Sequence, residues 1–98
     1  MKACVLILMV ACGVLMAGSY NSKPTYSADI APILNANCVS CHRPGQVAPF
    51  SLLTYSDAAK RATLLAEVTK GHYMPPWKPE PGFGEFKGER RLTPDQIR

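Results

Sequence analysis

Residues 38–42 read CVSCH, two cysteines three positions apart with a histidine directly after the second. No other stretch constrains this 98-residue chain as much, because each chemistry the pattern serves demands a different fold around it. Thiol redox needs the pair after a strand, at the start of a helix in a βαβ pattern. Structural zinc needs four protein ligands closing a tetrahedron. Covalent haem attachment needs two sulfurs one helical turn apart, so that both reach one porphyrin edge, and an adjacent imidazole turned toward the iron.

The residues before the motif read SADIAPILNANC, with Ile30, Ile33 and Leu34 at i, i+3 and i+4. This spacing predicts a helix capped by Ser27 or Asp29, with Pro32 in its first turn, where a missing N–H costs nothing. A helix running on into the motif puts Cys38, Cys41 and His42 on one face. An apolar helical stripe therefore stands where a thioredoxin-type site requires a strand. Beyond the first twenty residues, a zinc set could draw only on Cys38, Cys41, His42 and His72, and the neighbours Cys41 and His42 are awkward partners in a tetrahedron. Haem attachment is the favoured reading, with zinc binding and thiol redox as alternatives.

The chain opens MKACVLILMVACGVLMAGSY: one positive charge at Lys2, an uncharged, mostly apolar run over residues 3–17, then small residues. That layout predicts a secretory signal peptide over residues 1–19, hence an exported protein. An uncleaved membrane anchor and lipidation at Cys12 are the alternatives. Cleavage would remove Cys4 and Cys12, leaving Cys38 and Cys41 and no disulfide framework. A domain of about 79 residues buries little core and needs a staple, which two thioether bonds to a haem would supply. The net charge of +4 is spread over scattered lysines and arginines with no run of five or six. Nucleic-acid binding is not expected; haem propionates and an acidic redox partner suit this charge better.

Residues 20–26 are expected to be a linker and residues 27–98 the domain. RPGQVAPFSLLTY, residues 43–55, is punctuated by Pro44, Gly45 and Pro49 and predicts a loop over the proximal face. A carbonyl near Pro44 or Pro49 is the expected acceptor for the second ring N–H of His42, and Phe50, Leu52 and Leu53 are expected to pack on the haem. Thr54 and Asp57 predict a capping box opening one long second helix, with Ala58, Ala62, Leu65 and Val68 inside, Lys60, Arg61, Glu67 and Lys70 outside, and Gly71 as the stop.

A proline-stiffened loop follows, in which Met74 precedes Pro75 and Pro76. It is the only methionine beyond the leader and is favoured over His72 as second axial ligand, because rigid support places a ligand well. Trp77 either serves the haem, by packing on its edge or by donating its indole N–H to a propionate, or is plain core. The final TPDQIR begins a helix with Thr93 as cap, and a longer protein, with this C-terminal helix truncated, is expected.

The stretches TYSADIAPILNANCVSCHRPGQVAPFSLLTYSDA, MPPW and RRLT, together with the leader, closely resemble the mono-haem cytochrome c domain near the N-terminus of bacterial exported proteins. The resemblance implies an all-α, cytochrome c-like small helical domain around one covalent haem c. It makes Cys38 and Cys41 the thioether anchors, His42 the proximal ligand and Met74 the distal ligand. It implies a one-electron carrier, not an enzyme by itself, working with a redox partner protein or a fused redox domain, such as one resembling copper type II monooxygenases or thioredoxin-like proteins. The alternatives are a haem enzyme or sensor with an open sixth site, or a zinc-binding Cys/His module.

Overall fold

A computed structural model describes residues 23–98; the expected signal peptide, with Cys4 and Cys12, lies outside the described residues. Among the described residues every regular element is helical: a π-helical turn (Tyr26–Ile30) leading into α1 (Ala31–Asn37), then α2 (Tyr55–Ala59), α3 (Ala62–Lys70) and α4 (Pro94–Ile97). None of these helices is long and apolar enough to cross a membrane.

The first helical segment starts earlier than Ser27 or Asp29 would set it. Thr25 is the cap: its hydroxyl accepts the Ala28 N–H at 3.3 Å, and the Asp29 carboxylate accepts the Thr25 N–H at 2.7 Å. Asp29 thus closes a reciprocal pair from inside the helix. The expected linker over 20–26 accordingly ends within the cap, and Tyr26 packs edge-on against Tyr55 with ring centroids 5.1 Å apart. The π-helical turn precedes Pro32, whose ring would crowd the Ala28 carbonyl and whose nitrogen cannot donate. Widening that turn accommodates both.

The capping box at Thr54 and Asp57 forms as expected, with reciprocal bonds of 3.1 and 3.2 Å. The long second helix does not. It breaks at Lys60 and Arg61, where Arg61 takes φ −120° and ψ 16°, and Arg61 leaves the solvated face to lie half-buried against Phe50. Ala62 consequently faces out, while Leu65 and Val68 stay half-buried.

The core is small: Leu34 of α1, Leu52 of the intervening loop and Ala58 of α2 meet, with Tyr26, Cys38, Phe50 and Leu65 packed around them. Of the first apolar stripe only Leu34 is buried; Ile30 is exposed and Ile33 half-buried. Leu92, buried just before α4, is a separate anchor. At α4 itself, Thr93 and Gln96 form a second capping box around Pro94, and α4 packs on α3.

Candidate functional site

α1 ends at Asn37, so the motif lies just past the helix and not within it. The helical relationship survives because one further turn forms there. The Cys38 N–H bonds back to the Leu34 carbonyl at 2.8 Å, and the Cys38 carbonyl accepts from Cys41 at 3.2 Å and His42 at 2.9 Å. Cys38, Cys41 and His42 therefore keep the i, i+3, i+4 arrangement that the spacing requires.

The loop over 43–52 then folds back onto the histidine. Ala48 donates to the Cys41 carbonyl at 3.2 Å and Leu52 to the His42 carbonyl at 2.9 Å. The side chain is held as well: His42 Nδ1 lies 3.1 Å from the Phe50 carbonyl oxygen. A carbonyl only accepts, so Nδ1 carries the proton and Nε2 presents its lone pair. The acceptor follows Pro49 directly, in one of the two neighbourhoods expected.

Both thiols are free and half-buried. Burial, followed by the neighbouring Cys41, pushes the Cys38 thiol above its ordinary value. A redox-active Cys-x-x-Cys needs the reverse, a thiol whose value is lowered toward thiolate. Among the described residues no trio of His, Cys, Asp or Glu is grouped to hold a metal ion. Neither the thiol-redox nor the zinc alternative gains support from this geometry.

Cys38, Cys41 and His42 open onto a cleft of about 490 Å³ whose other walls are largely apolar, coming from α1, the 47–52 loop, α3 and the Met-Pro-Pro segment. Met74 stands in that wall and His72 does not. A methionine serving as core filler would be enclosed, whereas Met74 is 41 % exposed at the cleft margin. His72 has another task. With φ 57° it is the left-handed residue closing α3: its N–H bonds to the Thr69 carbonyl at 3.1 Å and that of Tyr73 to Val68 at 2.9 Å. Gly71, expected to be the stop, is the half-in cap before it. Phe50 and Leu52 line the cleft, while Leu53 is exposed and does not.

A smaller cavity of about 210 Å³ adjoins the cleft across Thr69, Met74, Pro75 and Leu92, which face both. Trp77 and Arg91 line it. Trp77 meets Phe86 edge-on with centroids 5.7 Å apart, and its Nε1 is buried without a hydrogen-bond partner. The Arg91 guanidinium donates to the Pro79 carbonyl and pairs with Glu89 at 3.0 Å. Sequence reasoning singled out Trp77 but missed that Arg91 lines the same cavity, since fourteen positions separate them and no periodicity links them.

Comparison with protein-family models, with curated proteins and with solved structures returned no match. The functional reading accordingly rests on the residues and their placement.

Proposed function

We propose that the chain is an electron-transfer domain carrying one covalent haem c, attached through Cys38 and Cys41, with His42 and Met74 as axial ligands. One observation carries this reading: two free thiols, an imidazole bonded through Nδ1 and a thioether all border the same apolar cleft. The volume of that cleft falls within the range of cofactor pockets.

The partnerless Trp77 Nε1–H supports the fit. A buried donor without an acceptor is costly, and a haem would bring two propionate carboxylates as acceptors. Trp77 and Arg91, which line the same cavity next to the main cleft, would offer a propionate a neutral and a cationic donor.

When bound, the haem supplies reversible one-electron redox chemistry. The chain's own residues do the rest. The cysteines fix the group, the Phe50 carbonyl holds the His42 tautomer and orients its ring, and the apolar walls exclude water. With Met74 as well as His42 holding a haem, no position on the metal would be left open to a small substrate. That favours an electron carrier, served by a redox partner protein or a fused redox domain, over a peroxidase or gas sensor.

Expression with a haem-ligating maturation system tests the reading. The expected product retains its haem through acidic acetone extraction, with mass spectrometry placing the group on Cys38 and Cys41. Extractable haem, free thiols or one equivalent of zinc would overturn it.

A further inference from the structure

Phe50 meets His42 twice. Its carbonyl accepts the Nδ1–H at 3.1 Å, and its ring packs on the imidazole with centroids 4.6 Å apart and planes tilted by 41°. The guanidinium carbon of Arg61 lies 4.2 Å from the centroid of the same phenyl ring. Arg61 is itself fixed at the break between α2 and α3, its N–H bonded to the Ala58 carbonyl at 3.0 Å and its carbonyl to the Leu65 N–H at 2.8 Å.

Resting on the haem reading, we infer that Arg61 is a positioning residue for the proximal ligand. Through Phe50 it holds the carbonyl that sets the orientation and electron donation of His42. The ring of Phe50 contacts both the guanidinium and the imidazole. Restricting its rotamer restricts the backbone of residue 50, because allowed χ1 values depend on φ and ψ. The backbone of residue 50 carries the acceptor for Nδ1–H. A bond to that proton fixes the tautomer and makes the ring a stronger donor to a bound metal.

The residue type fits this task. A guanidinium is planar and weakly hydrated and stacks on aromatic faces, whereas an ammonium is a compact, strongly hydrated charge on a flexible stem. The break in the helix also gains a reason. Lys60 and Arg61 are both good helix formers, so local propensity does not end α2 there. Leaving the helical conformation is what accompanies the seating of Arg61 on Phe50.

The test uses the haem-loaded chain with Arg61→Lys, Phe50→Leu and the double variant. Solvent exchange of the His42 Nδ1–H is followed by NMR in the ferrous state, and the reduction potential is measured alongside. Losing the stack should speed exchange roughly two- to fivefold, the factor corresponding to an exposed cation–π contact. A weaker bond at Nδ1 makes His42 a poorer donor to ferric iron, so the potential should rise. Arg61→Lys keeps the charge, and a residue acting by charge alone would leave both readouts unchanged in that variant. The double variant should not exceed Phe50→Leu by more than experimental error, because losing the ring already removes the contact through which Arg61 acts. Unchanged exchange and potential in Arg61→Lys, or additive effects in the double variant, overturn the inference while the haem reading stands. Failure of the unmutated chain to take up covalent haem overturns both.

Discussion

The Val68 carbonyl accepts the N–H of Met74 at 3.1 Å, six residues further along the chain. The same oxygen takes the Tyr73 N–H at 2.9 Å, so the last turn of α3 holds the residues entering the Met-Pro-Pro segment by two bonds. This places the thioether at the cleft. Proline rigidity alone would stiffen the segment without aiming it.

On the proposed haem reading, Met74→Ala should therefore remove the weak near-infrared band of a methionine-ligated ferric haem and lower the potential, since a Met ligand raises it. His72→Ala should leave the band in place. Absorption spectra and potentiometry of the two haem-loaded variants check this. Loss of the band in His72→Ala alone would reassign the distal ligand.

His72 also yields a stability prediction. A side chain at φ 57° is strained relative to glycine, which pays no Cβ penalty in the left-handed region. His72→Gly is expected to stabilise the folded domain by about 0.5–1 kcal/mol, raising Tm by several degrees. Thermal melts of the haem-loaded forms measure it, and a lower Tm would assign the imidazole a contact beyond the helix cap.

Features that depend on neighbours in sequence were legible before the structure. The turn joining Cys38 to His42, the box between Thr54 and Asp57 and the cap at Thr93 all close within four residues, and the residue types specify them. The cap of the first helical segment was not: the residue types point to Ser27 or Asp29, whereas Thr25 caps and Asp29 accepts its N–H from inside the helix, a pairing that the backbone decides. The break at Arg61 was hidden, since the aromatic ring that Arg61 sits on there lies eleven positions upstream and nothing in the local pattern marks it. The partnerless state of Trp77 was hidden for a similar reason: an indole N–H in a sequence carries no sign of whether an acceptor comes near.

Core energetics supply a third prediction. Leu52 is 2 % exposed, the most enclosed side chain described, and it packs where α1, α2 and the loop under His42 meet. Leu52→Ala should cost about 2–5 kcal/mol, through lost apolar burial and the cavity left behind. Leu53→Ala, next in sequence but 48 % exposed, should change stability by no more than about 0.5 kcal/mol. Denaturant midpoints of the haem-loaded variants compare the two, and equal costs would mean that the loop does not pack as described.

The last prediction concerns acid. Partial desolvation pushes the Asp57 carboxyl up, but the hydroxyls of Ser51 and Thr54, the Thr54 N–H and the charge of Lys60 together outweigh it and hold the group below its ordinary 3.8. A carboxylate held low in the folded state stabilises the fold at pH values above 3.8, and that contribution is lost as pH falls through the folded value. The cap of α2 depends on it, because a protonated Asp57 is a poorer acceptor for the Thr54 N–H. Asp57→Asn keeps the shape and an acceptor oxygen but removes the titration, so the variant should be less stable near neutrality and lose less on acidification. Circular-dichroism melts at about pH 5 and about pH 2.5 give the comparison, with the parent losing more Tm between the two than the variant. Equal losses would show that acid unfolding is set by other carboxylates and that the α2 cap carries no charge-dependent share of the stability.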